Sequence, residues 1–256
     1  MALKNKHSLG QNWLKDRTTL EEIADYAFSA APTCVEIGPG LGTLTSSLLR
    51  RFEKVVAIEF DESLAKNLPN SFPGKNLEVI NENILKFDFK RVEGPFVVAG
   101  NIPYYITSPI IEKLITLDTK PEKIVLLVQK EVAEKVAALK GNSSLSLFVE
   151  NFAEPSLGPV VKRDLFTPPP KVDSRVLVLS PRNTPKYPDG TGVLEFIHKS
   201  FMNPRKKLSA NLASFTGLSK PDLEERLEKL GLSPNARPAD LSLDDYAMLA
   251  KNLEKR

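Results

Sequence analysis

Two hydrophobic periods alternate along the first two thirds of the chain. Runs of β-branched and other apolar residues at 33–38, 54–59, 77–81, 96–100 and 123–129 read as strands. Most are apolar at successive positions, as strands covered on both faces must be. Between them the apolar positions recur at helical spacing over 18–30 (with Asp16 as a candidate cap), 42–51, 62–68 and 108–117. Strand–helix alternation of this length predicts right-handed crossovers and a doubly wound, mostly parallel sheet. Residues 143–152 read as a helix, and 157–161 and 175–179 as two more strands, a closing hairpin that brings the sheet to seven strands. Their connection contains Pro168, Pro169 and Pro170, which remove three donors and exclude regular structure there.

The texture changes after Pro181. Pro185, Pro188, Gly190 and Gly192 mark a linker, and helical periodicity follows with little strand signal. Ser219 with Asp222 and Ser242 with Asp245 resemble capped helix starts, and Gly231 stands where a helix would end. The expected organisation is an α/β domain over residues 1–181 and a small all-α domain over 182–256.

Composition acts mainly by exclusion. Apolar residues at 41% suffice for a large core, and no run is long enough for a membrane helix. The N-terminus carries basic residues without an apolar stretch behind them, so no secretory signal and a cytoplasmic location are expected. Cys34 is the one cysteine and His7 and His198 the two histidines, so neither a disulfide framework nor a metal centre is expected.

Charge is more informative once divided along the chain. Residues 1–181 hold 22 cations and 22 anions, whereas 182–256 hold 13 against 10. Within the second part, Lys199, Arg205, Lys206 and Lys207 occur with no acid among them; Lys4 and Lys6 begin a second basic patch at the N-terminus. Two such clusters on a nearly neutral body suit a polyanion held in a defined place, although short runs of charge also serve as solvated faces.

Glu36, Gly38, Gly40 and Gly42 follow the first parallel strand and lead into a helix, where open α/β sheets bind ligands. A dinucleotide fold is the obvious competitor. Pro39 argues against it, because it removes an N–H from a loop whose hold on phosphate depends on N–H groups. Glu36 would also set a carboxylate beside any pyrophosphate. A cationic, phosphate-free ligand fits better, and S-adenosylmethionine carries a sulfonium and an ammonium. Glu59 ends the next strand, where a carboxylate can accept both hydroxyls of a ribose.

Asn101, Ile102, Pro103 and Tyr104 lie at the end of the fourth strand, on the edge that carries the glycine loop. An adenine's exocyclic amine is a poor nucleophile because its lone pair is delocalised into the ring. Two acceptors on its two N–H bonds draw the nitrogen toward tetrahedral geometry and localise that pair. The Asn101 side-chain oxygen and the main-chain carbonyl of Ile102 can serve, with Pro103 stiffening the turn and Tyr104 stacking on the base. An ordinary turn would also use Asn and Pro.

Gln11 to Leu14, residues 36–45, Glu59, 101–105, 128–133 and 166–174 occur in the order seen in the ribosomal RNA adenine dimethyltransferases, and the chain resembles that family's bacterial small-subunit branch over nearly its whole length. The resemblance implies a class I methyltransferase fold of Rossmann type and methyl transfer from S-adenosylmethionine, leaving S-adenosylhomocysteine. The substrate would be two adjacent adenosines near the 3′ end of small-subunit (16S) RNA, within an immature 30S particle. It sets Gln11, Asn12 and Leu14 over the cofactor and Asn83 at the cofactor's adenine, where the family usually has Asp; Glu82 next door is a possible stand-in. It assigns Phe166 to the face of the target base opposite Tyr104, although a Phe beside three prolines is on its own more often a core anchor. It equates Arg205, Lys206 and Lys207 with an RNA-facing basic helix. Nothing resembles a dimer seam, so a monomer is expected. A large-subunit RNA enzyme and a non-catalytic assembly or transcription factor share much of the pattern; the intact Asn101–Tyr104 turn argues against the second.

Overall fold

The computed structural model of the chain describes residues 12–138 and 141–253. In chain order the elements are β1 (Trp13–Leu14), α1 (Arg17–Ala27), β2 (Thr33–Ile37), α2 (Thr43–Leu48), β3 (Lys54–Glu59), α3 (Glu62–Asn67), β4 (Leu77–Asn81) and β5 (Phe96–Asn101). They continue with α4 (Thr107–Ile115), β6 (Ile124–Gln129), α5 (Lys130–Val136), α6 (Ser144–Phe152), β7 (Ala153–Val161), β8 (Phe166–Thr167) and β9 (Ser174–Pro181). Helices α7 (Val193–Ser200), α8 (Leu208–Thr216), α9 (Lys220–Lys229) and α10 (Leu243–Asn252) complete the chain.

Seven strands form one sheet in the order β4-β3-β2-β5-β6-β9-β7. The ladders from β4 through β6 are parallel, and β9 runs antiparallel to β6. Every residue of β2 is buried, as are all but one in each of β3, β5 and β6, whereas the edge strand β4 is largely accessible. Continuous apolar runs therefore mark the strands covered on both faces. β7 begins four residues before the expected 157–161 because Pro155 is tolerated at a sheet edge, where no neighbour needs its missing N–H. Asp16 caps α1 as expected, accepting the Thr19 N–H at 2.8 Å and its hydroxyl at 2.7 Å.

Two compact units result: residues 12–133 with 154–183, and 134–153 with 184–253. The second unit resumes close to the boundary expected at 181, but it also contains α6, which the sequence assigned to the sheet domain. The physical reason is burial: Leu147 of α6 packs with Val193, Phe196 and Ile197 of α7 and Tyr246 of α10 in the helical unit's core. Ser219 and Ser242 cap α9 and α10, each accepting the N–H three residues on. Among the described residues no helix is long and apolar enough to cross a membrane, and no group of three or more His, Cys, Asp or Glu side chains could hold a metal ion.

Candidate active site

A cavity of about 300 Å³ opens at the carboxyl ends of β2, β3, β4 and β5. The loop from β2 to α2 bends through positive φ at Gly38 (66°), Gly40 (57°) and Gly42 (81°), which side-chain-bearing residues resist. Its glycine N–H groups are already used. Gly38 donates to the Ile58 carbonyl at 3.0 Å, Gly40 to Glu59 Oε2 at 3.0 Å, and Gly42 to the Pro39 carbonyl at 2.9 Å. With Pro39 having none to offer, the loop is a poor phosphate cradle.

Two buried carboxyls stand under it. Glu36 Oε2 accepts the Thr45 hydroxyl at 2.6 Å, and burial, reinforced by the nearby Glu59 charge, pushes its carboxyl up to about 8. Glu59 is raised as well, chiefly by burial, while its two oxygens accept the N–H groups of Gly40 and Asp61 (2.8 Å). A carboxyl held up to about 8 by burial, as in Glu36, is set to ionise when a cation enters the cavity it lines. The residues present therefore fit a sulfonium nucleoside better than a pyrophosphate.

Asn101 ends β5 and also lines the cavity. Its Nδ2 donates to the Asn12 main-chain carbonyl at 2.9 Å. That bond uses the nitrogen side of the carboxamide and leaves Oδ1 as an acceptor for the cavity, without a protein donor among the described residues. Ile102 is buried, and Pro103 (φ −61°) opens a single tight turn over Tyr104–Ile106. The Tyr104 hydroxyl meets Ser174 Oγ at 2.7 Å, and burial raises its pKa, so it stays a neutral phenol. Ser174 is fully buried at the start of β9, so the proline-rich segment that ends there braces the Asn101–Tyr104 turn.

The N-terminal segment reaches the cavity by strand pairing. Trp13 pairs with Thr167 and Leu14 with Phe166 in a two-stranded antiparallel ribbon, extended by Lys15 N–H to the Leu165 carbonyl. Asn12 and Leu14 line the cavity, while Gln11, Lys4 and Lys6 lie outside the described residues. Trp13, which the sequence did not single out, lies so near Gly40 that a Cβ there would be 3.1 Å from its indole nitrogen.

Phe166 requires a correction. It is 2% exposed, packed in the core with Leu14, Leu20 and Ile23, and absent from the cavity lining. Its pairing partner Leu14 belongs to the same core cluster, so the structure shows Phe166 as a loop anchor and does not bring it to the cavity wall. Asn83 and Glu82 both line the cavity. Asn83 Oδ1 accepts the Leu85 N–H at 2.9 Å, and Glu82 is tied to Arg91 at 2.8 Å. Phe60 and Leu85, exposed at the same rim, were not anticipated; Phe60's position directly after Glu59 was the available signal.

In the helical unit, Arg205, Lys206 and Lys207 are exposed on the loop between α7 and α8 and not on a helix, a second correction. Lys207 caps α8 and pairs with Glu224 at 3.3 Å. Lys199 is half-buried, its ammonium 5.8 Å from the centre of the Phe215 ring, so part of its role is packing.

The chain matches the profile of the family described as Ribosomal RNA adenine dimethylase over residues 2–255. A ribosomal RNA small subunit methyltransferase A from Lactococcus lactis subsp. lactis (strain IL1403) is 37% identical over 263 residues, covering 97% of this chain and 90% of that protein. A solved 23S rRNA methyltransferase, ErmE, superposes with a TM-score of 0.76 at 29% identity, over 95% of this chain and 100% of the other. A dimethyladenosine transferase from Plasmodium falciparum also gives 0.76, at 28% identity over 93% and 96% of the two chains.

Proposed function

We infer the reaction from the premise that this chain belongs to the ribosomal RNA adenine dimethylase family. It is an S-adenosylmethionine-dependent RNA methyltransferase. Its substrate is the pair of adjacent adenosines near the 3′ end of small-subunit (16S) ribosomal RNA, each dimethylated at its exocyclic amine. The choice of subunit rests on the sequence relative, since the fold alone matches a 23S enzyme equally well.

When bound, S-adenosylmethionine supplies an electrophilic methyl on a sulfonium: the S–C bond breaks as the N–C bond forms, and S-adenosylhomocysteine leaves. Glu59 would hold the ribose hydroxyls, with Glu36 deeper under the glycine loop. Phe60 and Leu85 would cover the faces of the cofactor's base and Asn83 its edge. Asn12, Leu14 and Trp13 would close the N-terminal side. Asn101 Oδ1 would accept one N–H of the target amine and a neighbouring main-chain carbonyl the other, localising the nitrogen's lone pair. Tyr104, steadied by Ser174, would stack on the base. No strong base is needed, because the amine's proton becomes acidic only once the N–C bond forms and can then pass to water. Burial of the base edge keeps these acceptors dry and so more effective than they would be in solvent.

The observation that carries this reading is the Asn101–Asn12 hydrogen bond, which supports an oxygen facing the target amine. A pure RNA-binding factor has no use for that arrangement. Arg205, Lys206 and Lys207 are suited to RNA phosphates by their exposure. An immature 30S particle as substrate, a cytoplasmic location and a monomeric enzyme complete the proposal. Transfer of labelled methyl from S-adenosylmethionine to immature small subunits, compared with naked small-subunit RNA and with large-subunit RNA, tests it. Label in two adjacent adenosines of the small-subunit RNA is expected. Label confined to large-subunit RNA, or none with intact RNA binding, would overturn it.

A further inference from the structure

Three of the large apolar side chains exposed among the described residues, Phe60, Leu85 and Tyr105, border the same cavity. Exposed apolar groups scattered singly are ordinary, but a cluster at one mouth marks a binding surface. Phe60 and Leu85 follow β3 and β4, beside Glu59 and Asn83, on the cofactor side. Tyr105 follows β5, directly after Tyr104, and in the strand order β5 stands two strands from β3 and three from β4. The cofactor therefore does not account for it.

Tyr105 is 64% exposed. It makes no hydrogen bond, ion pair or ring contact within the described residues. Its backbone is nonetheless firmly held: Pro103 fixes one side of the turn, Ile106 N–H closes it onto the Pro103 carbonyl at 3.3 Å, and Tyr104 is pinned by Ser174. An unpartnered ring on a stiff turn is an efficient stacking platform, because little conformational freedom remains to be lost on binding.

A flipped nucleotide creates the matching need. Extruding the target base into the cavity strips its neighbour of one stacking face. We propose that Tyr105 stacks on the base adjacent to the target adenosine, so that the enzyme grips two consecutive nucleotides, one inside the cavity against Tyr104 and the next outside on Tyr105. This rests on the reading of the substrate as two adjacent adenosines in RNA. It adds a specificity element that the chemistry of transfer does not require.

The test compares wild type with Tyr105→Ala and Tyr105→Trp. On immature small subunits, Tyr105→Ala is expected to raise the KM for RNA by about 5- to 150-fold, the range of one base–aromatic stack, with kcat and S-adenosylhomocysteine affinity preserved. Tyr105→Trp should restore KM. In a short RNA carrying 2-aminopurine beside the target adenosine, binding of wild type should quench the fluorophore by stacking, and Tyr105→Ala should quench it less. An unchanged KM, equal quenching by both proteins, or a loss confined to cofactor affinity would overturn the proposal while leaving the methyltransferase reading intact. A wild type that transfers no methyl to RNA would overturn both.

Discussion

The Asn101 side-chain amide donates to the main-chain carbonyl of Asn12 at 2.9 Å. The two residues lie 89 positions apart in the chain, and the contact joins an N-terminal segment to the end of a central strand. A carboxamide alone is ambiguous, since it offers a donor and an acceptor of nearly the same shape. Occupying the donor removes the ambiguity and leaves an oxygen for the cavity. The ribbon of Trp13 and Leu14 with Phe166 and Thr167 begins at the residue after Asn12.

Tyr104 and Ser174 form a second long-range brace, 2.7 Å apart and 70 positions separated. Tyr104→Phe and Ser174→Ala are each expected to lower kcat several-fold, in line with about 1 kcal/mol for one buried hydrogen bond. The double variant should be no worse than either single one. Steady-state kinetics on immature subunits measure this cycle; additive losses would mean that the hydroxyls act separately.

Burial raises the Glu36 carboxyl from 4.5 to about 8 in the ligand-free protein. A folded-state pKa above the unfolded value gives a contribution to stability that is complete below about 4.5 and lost as pH rises through about 8. The melting temperature of wild type should therefore fall relative to Glu36→Gln across that window. Cationic cofactor should reverse the trend, binding more tightly as pH rises toward neutrality and releasing a proton. Thermal melts of the two proteins at several pH values, with calorimetry in buffers of different ionisation enthalpy, provide the check. Parallel melting curves would contradict it.

Asn83 Oδ1 already accepts the Leu85 N–H, and the amide nitrogen beside it can only donate. The cofactor's adenine amine, expected at this position, is also a donor. Asn83→Asp keeps the local turn and adds an acceptor, so S-adenosylhomocysteine should bind roughly tenfold more tightly, about 1 kcal/mol or slightly more. Glu82→Gln should matter much less, because Arg91 already engages that carboxylate. Isothermal titration of the two variants distinguishes them, and no gain for Asn83→Asp would mean that the adenine amine does not meet this side chain.

The sheet was readable because burial on both faces writes itself as unbroken apolar runs, as in Val55 to Ile58 and Ile124 to Val128. The glycine loop, Glu59 and the Asn101 turn, which meet at one cavity, stand out in the sequence because few residue types suit a ligand-facing strand end. The rest depends on packing between distant segments. Strands of two residues, as at Trp13–Leu14, carry no period, so neither the ribbon nor Trp13 at Gly40 could be anticipated. Phe166, which the family resemblance sets beside the base, pairs with Leu14 and is buried. Helix α6 looked like part of the sheet domain because it precedes β7 in the chain, but its apolar face is completed by α7 and α10. Arg205 to Lys207 were read as a helix although the pattern contains Pro204, and they form the loop before α8.

In the proposed reaction Asn101 activates the target amine rather than holding the RNA. Single-turnover methyl transfer by Asn101→Ala at saturating S-adenosylmethionine and RNA, alongside the RNA dissociation constant, separates the two roles. Loss of a positioned polar group of this kind predicts a fall in rate of at least about 10²- to 10³-fold. RNA affinity should stay within about threefold of wild type, since one uncharged hydrogen bond contributes little to a phosphate-dominated interface. A rate near wild type, or a loss of RNA affinity as large as the loss of rate, would contradict it.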